Sequence, residues 1–395
     1  MLNIHVFLLF CKGKFERMAA VTVLDYGAGN IRSLVNALKF LGCEVNFVHE
    51  PSDITKAQKL IFPGVGAFGS AMNSLVACGY AQPLKDYISQ NRPFFGICLG
   101  MQTLCQGSDE SPEIEGLGVL PATVKLMDSS LVAVPHMGWN GLNIRKETEL
   151  IPHNSDNRAS GKVFFVHSYA ILLDNVQITD WVLATTNYGC EFVSAVQRGN
   201  IIATQFHPEK SGRFGLEILK RFVNITPVKN DEVLVGVELL PAKIPTQLAH
   251  RVIACMDVRS NDKGDLVVTK GEQYDVREQI MGESASEEKP QRGAVRNLGK
   301  PVALAQRYFE QGADEVVFLN ITSFRNCPLH DLPMVEVLRQ ASEKVFVPLT
   351  VGGGIRAIDA QVSDDEGNKV TKHFSALEVA SAYFRSGNQI QYNII

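Results

Sequence analysis

Short apolar or β-branched runs alternate with amphipathic stretches from Ala20 onward, and the runs end at glycine or proline. This alternation is typical of a parallel sheet covered by helices. At the start of the series it predicts a strand over residues 21–24 and a helix over 30–41, with Gly42 just past the helix end. Further strands are predicted over residues 59–62, 93–97, 162–166, 192–197 and 201–205. Since less helix separates the last three, we expect an antiparallel part in this sheet.

A proline- and lysine-rich stretch around residues 226–246 suits a linker. After it, three β-α units are predicted, with strands over 251–257, 315–320 and 345–351 and helices over 301–311, 331–341 and 374–385. The 395 residues are enough for two domains, or for one domain and part of a larger one. We predict an N-terminal extension at 1–18, a first domain at 19–225, a linker at 226–247 and a second domain at 248–395. Met18 is a candidate start.

The composition excludes several classes of protein. With 45% hydrophobic residues, 20% charged residues and a formal net charge of −4, the chain is neither disordered nor a nucleic-acid binder driven by positive charge. The apolar run at residues 6–10 is too short for a signal peptide or a membrane span. Eight scattered cysteines without a C-x-x-C pair indicate a reducing compartment and no structural metal. We therefore predict a cytoplasmic protein with no nucleic-acid or membrane partner.

The sharpest local signal is Gly96-Ile97-Cys98-Leu99-Gly100, between a predicted strand and a helix. It has the form of a nucleophile elbow with a thiol in place of the hydroxyl. Glycine on both sides permits a sharp turn, and a helix N-terminus lowers the pKa of a thiol placed there. A cysteine drawn at random is more often a buried core residue, but the paired glycines favour a nucleophile. Cys105 is expected about two helical turns further on, where nothing activates it.

A thiol nucleophile requires a base, and the base requires an orienting group. His207-Pro208-Glu209 supplies both, because His207 and Glu209 point to the same side of an extended chain. The third part is an oxyanion site. The turn Pro63-Gly64-Val65-Gly66 follows a predicted strand, and its glycines allow a backbone N–H to face a developing oxyanion. Taken alone, this turn is a weak signal, and a lone histidine is more often structural.

Three sequences together resemble the class I glutamine amidotransferase family: G-I-C-L-G-M-Q at 96–102, F-H-P-E-K-S at 206–211 and P-G-V-G-A-F-G at 63–69. The stretches at 135–140 and 166–169 narrow the resemblance to the glutaminase part of the imidazole glycerol phosphate synthase family. That family hydrolyses glutamine to glutamate and ammonia. The resemblance implies Cys98 as nucleophile, His207 as base and Glu209 as orienting group. It also implies Val65 and Gly66 at the oxyanion site, and Gln102, Ser168 and Tyr169 at the bound glutamine.

The second series resembles the opening of the cyclase barrel of the same family, through residues 251–257 followed by 267–271. Since Asp257 is predicted to end its strand, it lies where a barrel holds its active site, and we expect it to act as general acid or base. A helix or loop cap is the alternative for Asp257. The resemblance also implies Lys270 near the substrate, Gly353 and Gly354 in a phosphate-binding turn, and Arg251 and Glu315 at an ammonia gate.

These resemblances predict an α/β protein. A class I glutamine amidotransferase domain, with a mostly parallel sheet and helices on both faces, precedes an incomplete (β/α)8 TIM barrel. The implied substrates are glutamine and phosphoribulosyl-formimino-aminoimidazole-carboxamide ribonucleotide, and the implied products are imidazole glycerol phosphate and aminoimidazole-carboxamide ribonucleotide, in histidine biosynthesis. Ammonia would cross an internal amidotransferase–barrel interface. No metal or organic cofactor is implied, and a plant source would place the chain in the plastid stroma.

The resemblance stops at Gly387, and residues 388–395 no longer match the family. We therefore expect a truncated barrel, and a chain that does not perform the cyclase step even with ammonia supplied. Two other interpretations stay open. One is a hydrolase of another class that shares the elbow, such as a γ-glutamyl peptidase. The other is a non-catalytic truncated isoform that binds intact synthase and modulates it.

Overall fold

The computed structural model describes residues 20–27, 31–152, 161–173, 178–229, 239–241, 246–260, 266–269, 300–321, 332–353, 355, 357–363 and 369–385. The chain forms two compact units. The first lies before Ala249, and the second begins at Ala249 and also includes two short earlier segments, 30–36 and 209–213. The predicted N-terminal extension, most of the predicted linker and the residues after Gly387 lie outside the described part of the chain.

The chain before Ala249 alternates strands and helices, most regularly at its start. Its strands are β1 (Val21–Val23), β2 (Val45–Phe47), β3 (Leu60–Gly64), β4 (Phe94–Cys98), β5 (Cys105–Ser108), β6 (Leu120–Leu126), β7 (His136–Asn140), β8 (Asn143–Ile144), β9 (Val163–His167), β10 (Tyr169–Ala170), β11 (Val182–Tyr188), β12 (Cys190–Arg198) and β13 (Ile201–Thr204). Its helices are α1 (Ile31–Phe40), α2 (Pro51–Lys56), α3 (Phe68–Ala77), α4 (Ala81–Ser89), α5 (Leu99–Gln102) and α6 (Gly212–Val223), with a 3-10 turn at Pro208–Lys210.

An eight-stranded sheet in the order β2-β1-β3-β4-β13-β12-β11-β8 is the largest of this unit. The strands from β2 to β13 pair in parallel, and those from β13 to β8 pair antiparallel. Both the parallel series and the antiparallel part predicted from the sequence are therefore confirmed. In β3 and β4, Phe62, Phe94 and Phe95 are fully buried, as expected for parallel strands covered on both faces.

Helix α1 ends as the sequence predicts. Gly42 has φ +83°, and the N–H of Cys43 donates to the carbonyl of Leu38 while that of Gly42 donates to Lys39. This is the glycine-terminated end in which a left-handed residue satisfies the last carbonyls of a helix.

The helix after the elbow is shorter than the sequence predicts. α5 has four residues, and Cys105 begins β5, which pairs in parallel with β6 through Leu120. The expectation that Cys105 lies two helical turns beyond Cys98 is therefore wrong. The helix does not continue because the carbonyls of Thr103 and Leu104 accept hydrogen bonds from the segment that enters β6.

The second unit contains β14 (Ile253–Ser260), β15 (Leu266–Thr269), α7 (Pro301–Glu310), β16 (Glu315–Asn320), α8 (Leu332–Ser342), β17 (Leu349–Gly352), β18 (Ile358–Ser363), β19 (Lys369–Phe374) and α9 (Ala376–Arg385). Its main sheet has the order β15-β14-β16-β17, in which β14, β16 and β17 run parallel. The helices between these strands confirm a barrel-type β-α series. The described strands of this sheet do not close on themselves.

Strand β14 runs three residues beyond its predicted end at Asp257. Residues 257–260 pair antiparallel with β15, which keeps them extended past the last parallel pair, Val258 with Asn320. The prediction that Asp257 ends its strand is therefore wrong, although Asp257 still lies near the carboxyl edge of the parallel strands. The hairpin β18–β19 has no counterpart among the predicted elements.

Candidate active site

The candidate nucleophile lies at a strained turn. Cys98 is the last residue of β4, and α5 begins at the next residue. Its backbone has φ +53° and ψ −107°, a region that non-glycine residues occupy at a cost in free energy. Cys98 is 7% exposed. A strained and nearly buried cysteine between a strand and a helix has the geometry of a nucleophile elbow.

The two glycines of the elbow are required by close packing. A Cβ at Gly100 would overlap the carbonyl oxygen of Phe62, and one at Gly96 would lie 2.8 Å from the carbonyl oxygen of Gly100. Neither glycine has a positive φ, so the left-handed residue of the turn is Cys98 itself. The glycines therefore allow α5 to lie directly against β3, which holds the strained residue in place.

The turn after β3 packs against the elbow. A Cβ at Gly64 would approach the Cβ of Leu99 to 2.8 Å and the nitrogen of Gly100 to 3.1 Å. Gly66 has φ +103° with open space around it, so its requirement for glycine is conformational. The structure thus brings the Val65-Gly66 turn beside the elbow, and its role in holding an oxyanion stays a prediction.

Tyr26 borders the same turn. Its hydroxyl would lie 3.1 Å from a Cβ at Gly64, and its ring packs edge-on against Phe62 with centroids 5.5 Å apart. Burial raises the pKa of its phenol, and a negative charge on Cys98 raises it further. Tyr26 therefore presents a neutral hydroxyl near the thiol at ordinary pH. The sequence interpretation does not identify this residue.

The sulfur of Cys98 accepts a hydrogen bond from a residue on the neighbouring strand. β4 and β13 pair in parallel with Ile97 opposite Thr204, so Cys98 and Gln205 leave the sheet side by side. The side-chain Nε2 of Gln205 donates to Sγ of Cys98 at 3.5 Å, and Gln205 is fully buried. This amide contacts the candidate nucleophile directly.

Gln102, predicted to lie near bound glutamine, connects Gln205 to the first residue of β10. Its Nε2 donates to Oε1 of Gln205 at 3.0 Å and to the carbonyl oxygen of Tyr169 at 2.9 Å. Ser168 is half-buried, and its carbonyl accepts from the N–H of Met127 at 2.9 Å. The structure therefore brings the predicted residues Gln102, Ser168 and Tyr169 to the neighbourhood of Cys98.

His207 and Glu209 follow β13 at the same carboxyl edge as Cys98. His207 is 2% exposed, and its N–H donates to the carbonyl of Phe164 at 3.0 Å. Glu209 is 7% exposed and lies in the 3-10 turn. The sheet register therefore places the predicted base and orienting group just beyond the strand that lies beside the nucleophile's strand.

A buried histidine pair lies behind this edge. Nδ1 of His136 lies 3.1 Å from Nε2 of His167, and Nδ1 of His167 lies 2.9 Å from the carbonyl oxygen of Tyr169. The ring of His136 stacks on Tyr188 with centroids 4.0 Å apart. Burial lowers the pKa of His136 to about 2, helped by the neighbouring imidazole. Burial likewise lowers the pKa of His167 to about 4, to which a charge on His207 contributes.

In the second unit the structure pairs Arg251 with Glu315. Nε of Arg251 lies 3.3 Å from Oε2 of Glu315, whose side chain is 4% exposed, and Thr350 donates to the other carboxylate oxygen at 2.7 Å. Glu315 opens β16, so this pair lies at the amino edge of the sheet. An ammonia gate at this pair stays a prediction.

The opposite edge of that sheet carries Asp257 and Gly353. Asp257 is half-buried and aligns with Leu319, which in turn aligns with Gly352. Gly353 has φ +93°, and a Cβ there would overlap the carbonyl oxygen of Asn320. Lys270 and Gly354 lie outside the described residues.

The residues that the structure describes contain neither a candidate metal site nor a helix that could span a membrane. No group of three or more His, Cys, Asp and Glu side chains among them could hold a metal ion. In the same part of the chain, no helix combines the length and hydropathy needed to cross a membrane.

Comparison with known proteins identifies two families along the chain. The model of the family described as glutamine amidotransferase class-I matches residues 22–225, and that of histidine biosynthesis protein matches residues 251–372. The chain is 50% identical over 370 residues to imidazole glycerol phosphate synthase hisHF, chloroplastic, of Arabidopsis thaliana, covering 93% of this chain and 57% of that protein.

Fungal and archaeal relatives extend the comparison. Imidazole glycerol phosphate synthase hisHF of Emericella nidulans is 48% identical over 381 residues, covering 94% of this chain and 64% of that protein. The subunit HisH of Methanothermobacter thermautotrophicus is 42% identical over 205 residues, covering 52% of this chain and 98% of that protein. The chain thus spans 57% and 64% of the two hisHF proteins and nearly all of a HisH subunit. It belongs to the class-I glutamine amidotransferase family.

Proposed function

We propose that the first unit hydrolyses glutamine to glutamate and ammonia through Cys98, His207 and Glu209. The observation that carries this proposal is the elbow itself. Cys98 occupies a strained backbone conformation that the packing of Gly96 and Gly100 enforces, and this holds its thiol at the carboxyl edge of β4. Structures retain such strain where function uses it. The match of residues 22–225 to the family described as glutamine amidotransferase class-I supports glutamine as the substrate.

The reaction needs one proton relay and one covalent intermediate. His207 takes the thiol proton as the sulfur of Cys98 attacks the carboxamide carbon of glutamine. The tetrahedral oxyanion receives N–H donation from the Val65-Gly66 turn. The carbon–nitrogen bond then breaks, and protonated His207 returns its proton to the leaving nitrogen, which departs as ammonia. Water, deprotonated by His207, hydrolyses the thioester to glutamate and restores the thiol, while Glu209 orients the imidazole throughout.

For the second unit we propose a contribution to the cyclase step, which we do not expect this chain to complete alone. Ammonia from the first unit would serve the conversion of phosphoribulosyl-formimino-aminoimidazole-carboxamide ribonucleotide to imidazole glycerol phosphate and aminoimidazole-carboxamide ribonucleotide. Asp257 is the proposed general acid or base, and the Gly353 turn the proposed phosphate site. The match of residues 251–372 to a histidine biosynthesis family supports this assignment. The proposed compartment is the cytoplasm, or the plastid stroma if the source is a plant.

The test of the glutaminase compares single-cysteine variants of the full chain. Cys98→Ala should abolish release of glutamate from glutamine. Cys78→Ala is the matched control, because Cys78 is exposed at the end of α3 and should leave the rate unchanged. A glutamine-like electrophile, followed by peptide mass mapping, should label Cys98. Wild-type turnover by Cys98→Ala would refute the proposal.

Cys105 provides an internal control in the labelling experiment. It is fully buried, and burial raises the pKa of its thiol, so little reactive thiolate forms there. Preferential labelling of Cys105 would contradict the assignment of the nucleophile. A panel of γ-glutamyl peptides tests the alternative peptidase function. A peptidase would cleave these peptides faster than it hydrolyses glutamine.

A further inference from the structure

We propose that Gln205 is a positioning residue for Cys98, and that its side-chain amide, oriented by Gln102, donates an N–H to the sulfur and favours the thiolate. The inference rests on the proposed glutaminase function and names a residue that acts through its nucleophile. The proposal is based on a buried hydrogen-bond chain that runs from His136 to Cys98 within the first unit.

The direction of this chain is set by a backbone carbonyl. The carbonyl oxygen of Tyr169 only accepts hydrogen bonds, so the side-chain group of Gln102 that faces it is the NH2. The second hydrogen of that NH2 is donated to Oε1 of Gln205. The NH2 of Gln205 therefore faces the sulfur of Cys98. Turning either amide would set donor against donor or acceptor against acceptor.

The histidine pair holds the same carbonyl from the other side. Nδ1 of His167 carries a proton because it faces the Tyr169 carbonyl, so both lone pairs of that oxygen are occupied. Nε2 of His167 then accepts from the Nδ1–H of His136. Among the described residues, no hydrogen-bond partner meets Nε2 of His136. Every donor in the chain is thus fixed in direction: the histidines donate towards the Tyr169 carbonyl, and Gln102 donates both to that carbonyl and to Gln205, which donates to Cys98.

Burial strengthens the contact between Gln205 and Cys98. Gln205 is fully buried, Gln102 is 6% exposed and Cys98 is 7% exposed. Where water is excluded, an N–H donor stabilises a negative sulfur more than a neutral one. The titratable groups at this edge are Tyr26, which is neutral at ordinary pH, and three residues that follow Gln205 along the chain: His207, Glu209 and Lys210. The amide of Gln205 supplies a donor that does not itself titrate.

The test measures how fast iodoacetamide alkylates Cys98 in the full chain as a function of pH. Gln205→Glu keeps the size of the side chain but sets a carboxylate against the sulfur. The midpoint of the alkylation profile should rise by about one pH unit, which lowers the rate at neutral pH about tenfold. Gln205→Leu, which removes the donor without adding charge, should shift it less. For glutamine hydrolysis, kcat should fall with little change in KM.

Gln197→Glu is the matched control. It makes the same chemical change on β12, where the side chain of Gln197 accepts from Thr148 and donates to Gly199, and should keep the wild-type profile. Gln102→Glu is a second variant, because a carboxylate facing Gln205 turns its amide around and should shift the midpoint in the same direction.

A measurement on the wild-type chain needs no variant. The side-chain amide resonances of Gln205 should shift with pH at the alkylation midpoint. Unchanged alkylation profiles in folded Gln205→Glu and Gln102→Glu, or amide resonances of Gln205 that ignore the titration of Cys98, would overturn the inference. Failure of the glutaminase proposal has a different signature, since Cys98→Ala would then still hydrolyse glutamine whatever the alkylation profile shows.

Discussion

The parallel strands of the two main sheets hold the candidate residues at their carboxyl ends by different means. At β4 and β13, Cys98 and Gln205 are nearly or fully buried, and uncharged hydrogen bonds and glycine packing determine their positions. At β14 and β17, Asp257 is half-buried and Gly353 exposed. The partly buried ion pair of the second unit, Arg251 with Glu315, lies at the opposite edge of its sheet.

This difference follows from the chemistry proposed for each edge. A thiol nucleophile attacks along one direction, so a rigid turn that excludes alternatives favours it. A general acid or base exchanges protons with its substrate and with water, and partial exposure gives it that access. The comparison therefore predicts that substitutions at the first edge act mainly through packing, and that those in the second unit act mainly through charge.

The largest expected effect is that of Gly100→Ala. Its Cβ would overlap the carbonyl oxygen of Phe62, which belongs to the β-sheet backbone and cannot move aside. We expect a loss of about 3 kcal/mol or more in the free energy of unfolding, measured by urea denaturation. Gly107→Ala is the control, since a Cβ at Gly107 has its nearest neighbour 3.8 Å away. Equal effects of the two substitutions would show that packing does not enforce the elbow.

An intermediate effect is expected for Glu315→Gln. The substitution removes the carboxylate that pairs with Arg251. The side chain of Glu315 is 4% exposed, whereas that of Arg251 is 27% exposed. Because the arginine keeps some solvent, we expect about 2 kcal/mol, below the range of a fully buried pair. Glu336→Gln, which breaks an exposed ion pair with Arg339 in the same unit, should leave the unfolding midpoint unchanged. If the two variants lose the same stability, charge does not distinguish this unit from the first.

The smallest effect concerns the histidine pair of the first unit. His136 and His167 are neutral in the folded chain, with pKa values lowered to about 2 and about 4, whereas unfolded histidine titrates near 6.5. The unfolded state therefore binds more protons as pH falls below 6.5, and stability is lost in that window. Between pH 6.5 and 5.5 each histidine should cost about 1 kcal/mol. His136→Phe, which retains the aromatic stacking, should reduce this loss by about 1 kcal/mol, measured as unfolding free energy against pH.

The control for this experiment is His373→Phe. His373 is exposed on β19, so its removal should leave the slope between pH 6.5 and 5.5 nearly unchanged. A slope in His136→Phe equal to that of the wild type would show that the pair does not enter the folded state neutral.

Short-range sequence patterns correctly predicted the elements of the regular β-α series, in which parallel strands pair with one another. The strand at 315–320 has its predicted bounds, and the helix predicted at 301–311 ends one residue earlier. The extension of β14 and the hairpin β18–β19 were not predictable in this way. Each depends on an antiparallel neighbour, and pairing of that kind is decided by tertiary contacts rather than by local hydrophobic period.

The site shows the same limit. The glycines around Cys98 identify a turn within five residues of sequence. The prediction that an extended chain places His207 and Glu209 on one side is wrong in its premise, because the strand ends at Thr204 and Glu209 lies in a 3-10 turn. The sequence interpretation does not identify Gln205. Its contact with Cys98 joins residues 107 positions apart, and no local rule predicts such a contact. Tyr26 is likewise identified only by its packing against Gly64 and Phe62.

The pairing of β4 with β13 has a consequence for the order in which the chain becomes reactive. The sheet brings residues 94–97 beside residues 201–204, so one strand of the elbow pairs with a partner about half the domain away. Loops of this length close slowly and form contacts late in folding. On a growing chain, Cys98 leaves the ribosome well before Gln205 and His207 are made. The newly made thiol therefore has neither Gln205 nor His207 beside it until the strand pair closes.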